Sequence, residues 1–103
     1  MISAGVVVTP GARLGRGVLL NTSCSVDHQS VIGDFAHVSA GATVGANVAV
    51  GARTLIGLGA NVASTWRVGA DALIGAGALV VRDIPDGVVA FGVPARIQRS
   101  NLR

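Results

Sequence analysis

A chain of 103 residues is one domain's length, and with half of its residues apolar and only 13% charged it lacks the composition of a disordered segment. Its formal charge of +3 comes from eight Arg and no Lys against five Asp and no Glu; without a basic run, and with two Phe and one Trp as its only aromatics, the chain does not read as a nucleic-acid platform. The longest weakly polar run, Ala72 to Val81, is about half of the ~20 residues that a membrane span needs. No leader pattern opens the sequence and Cys24 has no second cysteine to pair with, so a membrane-free, cytoplasmic setting is expected.

From Ile2 onward every sixth residue is aliphatic: Val8, Leu14, Leu20, Val26, Ile32 and so on through Val80, fourteen positions without a gap. At the frequency of Val, Ile and Leu in this chain, chance would give such a run about once in ten million. Four residues after each of these positions stands a mostly small residue, such as Ala12, Cys24, Ser30, Ala36, Ala42, Ala60 and Ala78. Glycine often follows directly, as at Gly15, Gly33, Gly45, Gly51, Gly57, Gly69 and Gly75. Each hexad therefore reads as a short strand that turns one large and one small residue inward, followed by a tight turn that the glycine eases. Three hexads close a triangular coil of 18 residues, stacked coils pair as parallel strands, and fourteen hexads make about four and two-thirds coils. The expected fold is all-β, a parallel β-helix over residues 1–85. Pro85 and Asp86-Gly87 interrupt the hexads, and residues 86–103 read as a C-terminal cap strand, a reversal and a polar tail, with Phe91 closing the open core. Trp66 stands out as too large for the small-residue column it occupies.

The residue before each inward aliphatic points outward, and outward residues 18 apart lie above one another. One outward column reads Leu19, His37, Leu55, Leu73 and is mainly apolar, which predicts burial against another subunit and a homotrimer. A second register, Gly41-Ala42, Gly59-Ala60 and Gly77-Ala78, leaves a ridge without side chains; it is either a set of turn glycines or a shallow groove for an extended ligand. The two histidines, His28 and His37, are nine residues apart, half a coil, so one chain cannot readily bring them together and a site using both must lie between neighbouring prisms.

The segments Asn21-Thr22-Ser23, Val26-Asp27-His28, Val31 to Ser39 and Gly92-Val93-Pro94-Ala95-Arg96 resemble the hexapeptide-repeat sugar O/N-acetyltransferases of the sialic-acid and bacillosamine type, over about residues 10–96. That resemblance implies a left-handed helix, a trimer, and acetyl-CoA as co-substrate without a metal. It also implies His28 as general base, Asp27 as the acidic neighbour that orients it, and His37 with the weaker candidate Asn21 near the acetyl or acceptor group. For the cofactor it points to an oxyanion-stabilising amide near Gly45-Ala46 and to a pantetheine path past Gly59, Ala60, Gly75, Ala76 and Gly77. The path ends toward Pro94 and the arginines Arg82, Arg96, Arg99 and Arg103, of which Arg99 and Arg103 read rather as solvated tail charges. Cys24, in an inward position, reads as inert. Members of that family carry an N-terminal nucleotide-sugar domain before the hexads, whereas here the hexads begin at Ile2. The expected function is acetyl transfer to an amine or hydroxyl of a small acceptor, a sugar nucleotide among the candidates. The alternative is a structural or CoA-binding trimer without turnover. A zinc enzyme of the gamma carbonic anhydrase type needs three histidines, and the chain has two.

Overall fold

A computed structural model of the chain describes residues 1–101. Thirteen two-residue strands recur at six-residue intervals from Val7–Val8 to Leu79–Val80. They distribute over three faces. The first holds Val7–Val8, Ser25–Val26, Thr43–Val44, Asn61–Val62 and Leu79–Val80; the second holds Arg13–Leu14, Val31–Ile32, Ala49–Val50 and Arg67–Val68. The third holds Leu19–Leu20, His37–Val38, Leu55–Ile56 and Leu73–Ile74, followed by Val88–Phe91 and Arg96–Ser100. Pairing within a face is parallel with partners 18 residues apart, as in Val26 with Val44 or Val38 with Ile56. The coil length expected from the hexads is therefore the one that forms.

Inside, the aliphatic of each hexad stacks on the next, and Leu20, Val26, Ile32, Val38, Val44, Ile56, Val62, Ile74 and Val80 are all buried. Small companions fill the narrow corners; where they are polar they are satisfied. Ser30 Oγ donates to Gly45 O at 2.6 Å and accepts from Val48 N at 3.0 Å, and Thr54 Oγ1 does the same between Gly69 O and Ala72 N, at 2.5 and 3.1 Å. Burial fades only at the first coil, which has nothing beneath it: Ile2 is 59% and Val8 38% exposed, against 1% for Leu20.

The turns correct one expectation. The residue that needs a left-handed backbone is not the glycine after the inward aliphatic but the position two further on: 5, 11, 17 and so on to 77 all have positive φ, including non-glycines such as Ser23, Gln29, Phe35, Asn47 and Thr65. The glycines at 33, 45, 51, 57, 69 and 75 serve close approach instead. A Cβ at Gly45 would stand 2.8 Å from Ser64 N, and one at Gly57 2.6 Å from Ile74 O, both main-chain atoms of the next coil.

The C-terminal end departs from the expected boundary. Ile84 bridges Val68 and Ala90 pairs with Ile74, so the last coil has 16 residues and the stack continues past Pro85. The two residues lost between Val80 and Ile84 remove the inward companion that would sit above Trp66, and the indole packs, partly buried, against the core there. This gives the oversized residue its room. Phe91 does not close the core: it is 47% exposed over Gly75, while Ala90 and Ala95 take the buried positions. Part of the expected polar tail is a strand, Arg96–Ser100, antiparallel to Val88–Phe91. Arg103 lies outside the described residues. Among the described residues no helix is long and apolar enough to cross a membrane.

Candidate active site

His28 follows the strand Ser25–Val26 in the turn that joins the first face to the second. Side chains of successive residues in a strand diverge, but this turn lets Asp27 fold onto its neighbour: Asp27 Oδ1 accepts from the His28 amide at 2.7 Å and meets His28 Nδ1 at 2.9 Å. A carboxylate can only accept, so Nδ1 donates, and in the neutral imidazole the lone pair is then on Nε2. Donation from the His28 amide, then from its ring, holds the Asp27 carboxyl below its ordinary range. Both side chains are about half exposed, 57% for His28 and 49% for Asp27, so Nε2 is open to a substrate.

His37 lies on the strand His37–Val38, in the third face, partly buried between Leu19 below and Leu55 above. Its Nε2 is 3.1 Å from Asn21 Nδ2. An amide nitrogen donates, so here Nε2 accepts and Nδ1 carries the proton. Ser3 Oγ, 3.4 Å from Asn21 Oδ1, is consistent with that amide orientation. The two imidazoles are thus set up oppositely, His28 as an acceptor and His37 as a donor at its free nitrogen. In a triangular prism the corner between the first and second faces lies opposite the third face, so the fold joins Asp27 to His28 and Asn21 to His37 but separates the two pairs. Sequence reasoning missed Thr9, whose Oγ1 is 3.2 Å from Asp27 Oδ1. It stands 18 residues before Asp27 and was findable by the same arithmetic.

Ala46 lies one coil above His28, but the expected oxyanion donors are already engaged: Gly45 N donates to Val62 O at 2.9 Å and Ala46 N to Ser64 Oγ at 3.1 Å. The glycine ridge differs from its expected form too. Gly41, Gly59 and Gly77 have φ of 69°, 64° and 70°, and nothing stands within 4 Å of a Cβ built on any of them. Their own amides bond to the coil below, to Thr22 O, Ala40 O and Leu58 O. Along that ridge the amides of Ala40, Leu58 and Ala76, one per coil, meet no acceptor among the described residues, as is also true of turn amides elsewhere such as those of Ala52 and Ser64. Ala60 faces the core and Gly75 is covered by Phe91, so neither lines the open ridge, whereas Gly59, Ala76 and Gly77 do. Arg82 is exposed in the shortened turn; Pro94 is exposed in the reversal and Arg96 opens the final strand. A concavity of 660 Å³ lies where the second face ends, lined by Arg67, Asp83 and Asp86 among others, and includes none of the expected site residues. Cys24 is fully buried, burial raises its thiol pKa, and it is no nucleophile. Among the described residues no three His, Cys, Asp or Glu side chains come together to hold a metal ion.

The same fold occurs in solved proteins. PerB from Caulobacter crescentus, in complex with CoA and GDP-perosamine, is 38% identical with a TM-score of 0.81, over 95% of this chain and 57% of that one. The chain is a left-handed β-helix of hexapeptide repeats. Serine acetyltransferase from Neisseria gonorrhoeae superposes on this β-helix with a TM-score of 0.91 at 32% identity, covering 96% of it and 43% of the enzyme. The acetyltransferase domain of PglB from Neisseria gonorrhoeae, in complex with acetyl coenzyme A, matches 91% of the β-helix and 55% of the domain at 31% identity, with a TM-score of 0.80. The β-helix spans about half the length of these proteins. No family model matches it.

Proposed function

We propose that this β-helix carries the catalytic centre of an acetyl-CoA-dependent acetyltransferase that acts on an amine or hydroxyl of a small acceptor, with a sugar nucleotide as the favoured class. The observation that carries the reading is the Asp27–His28 contact, which fixes the tautomer that leaves Nε2 basic, in a chain 38% identical to a protein crystallised with CoA and GDP-perosamine. In the proposed reaction the acceptor N–H or O–H gives its proton to His28 Nε2 as the nitrogen or oxygen attacks the thioester carbonyl. Collapse of the tetrahedral intermediate breaks the C–S bond, and the departing thiolate takes the proton back from the imidazolium. No acyl-enzyme forms.

The site lies between subunits of a homotrimer, with His28 of one prism facing His37 of the next. That geometry reconciles two histidines which a single chain holds apart. His37, a donor through Nδ1, binds the acetyl oxygen or the acceptor. The pantetheine arm runs along the ridge of Gly59, Ala76 and Gly77, where the amides of Ala40, Leu58 and Ala76 have room for its carbonyls. Arg82 and Arg96 supply charge for the CoA phosphates. A cytoplasmic setting, where acetyl-CoA is made available, fits a chain whose one thiol is buried.

Calorimetry with acetyl-CoA on the purified trimer tests this directly, with one site per chain expected. A well-folded trimer that binds none would leave a structural role. For the assembly, Leu55→Asp places a charge in the apolar column beside His37. Light scattering should then report monomers or aggregates, and an intact trimer would place the contact elsewhere.

A further inference from the structure

We propose that Thr9, in the first coil, is a positioning residue for the proposed base: its hydroxyl ties the Asp27 carboxylate to a second coil and so holds the Nδ1–H form of His28. The inference rests on the reading of His28 given above. Three donors converge on Asp27 Oδ1, namely the His28 amide at 2.7 Å, His28 Nδ1 at 2.9 Å and Thr9 Oγ1 at 3.2 Å. The first two belong to one residue, so a rotation of the 27–28 turn carries them together with the carboxylate. Among the described residues, only Thr9 anchors that oxygen to a different part of the chain.

Other neighbours cannot replace it. Gly45 occupies the equivalent position in the coil above and has no side chain to offer. The Thr9 hydroxyl has one proton and two acceptors in reach, Val26 O at 3.5 Å and Asp27 Oδ1 at 3.2 Å. The carboxylate is closer and charged, and takes it. The Thr9 main chain is held independently, by its amide on Val26 O at 3.1 Å, so the hydroxyl is free for this task.

Thr9→Val keeps the β-branched shape and removes only the hydroxyl. In the intact trimer it is expected to lower kcat about five- to tenfold with the KM for acetyl-CoA unchanged within about twofold. Nitrogen NMR of the imidazole should show His28 losing Nδ1–H population, and Thr9→Ser should restore both readouts to within about twofold of the parent. A Thr9→Val protein with parental kcat and parental tautomer overturns the proposal, as does a Thr9→Ser variant impaired as much as Thr9→Val. A tautomer change in a protein that transfers no acetyl group would instead retain the hold of Thr9 on the pair and reject the enzymatic reading.

Discussion

Replacing His28 with alanine is expected to slow acetyl transfer by about 10²- to 10⁴-fold, the range that a positioned general base contributes, while acetyl-CoA binding stays within about twofold of the parent. The separation of the two effects follows from the fold. His28 stands on the corner between the first and second faces, and the open glycine ridge runs along the corner between the third and first. Loss of the imidazole therefore removes the proton acceptor without touching the cofactor path of the same subunit. Its side chain is 57% exposed and packs against nothing in the core, so the variant should fold and melt as the parent does. Single-turnover rates with a fixed acceptor, beside a calorimetric titration, give the two numbers. Unchanged transfer would remove His28 from the chemistry, and lost binding would make its imidazole a contact of the cofactor held by the neighbouring subunit.

The largest effect on stability is expected at Ile56→Ala, about 2 to 5 kcal/mol. Ile56 is fully buried and sits between Val38 below and Ile74 above in the aliphatic stack. Each coil contacts only its neighbours, so a void in the middle weakens two interfaces at once and the coils cannot collapse without breaking the parallel ladder on either side. Ile2→Ala deletes the same atoms at a position that is 59% exposed and should change stability by no more than about 0.5 kcal/mol. Thermal melts at equal protein concentration measure both, the equality being needed because assembly itself contributes to the midpoint. Equal shifts for the two variants would contradict the stacking account.

Most of the fold was legible because a six-residue period fixes both which residues point inward and which stand above one another. Val26 on Val44 and His37 beneath Leu55 follow from counting alone. What counting cannot see is a change of phase. The contraction between Val80 and Ile84 leaves Val68 opposite Ile84 and Ile74 opposite Ala90, and it explains Trp66 and displaces Phe91 from its expected place as a cap. The glycine signal was real but had two causes, close approach at positions such as Gly45 and positive φ at positions such as Gly59, which sequence alone merges. At the site, the separation of His28 from His37 was legible from their half-coil spacing. The Asp27–His28 contact depended on turn geometry, and the engaged amides of Gly45 and Ala46 on partners in the coil above.

Stacking at a fixed interval makes chain length in this molecule a quantised property. Adding or deleting a complete coil exchanges one aliphatic layer for an equivalent one, whereas inserting a single residue turns the following outward positions inward until the frame is recovered. A two-residue loss preserves that alternation, and it occurs between Val80 and Ile84, with little of the stack left above it to realign. The same loss between Thr9 and Asp27 would slide the hydroxyl out from under the carboxylate. The contact beneath His28 therefore depends on the number of residues between Thr9 and Asp27 as much as on the hydroxyl and carboxylate they carry.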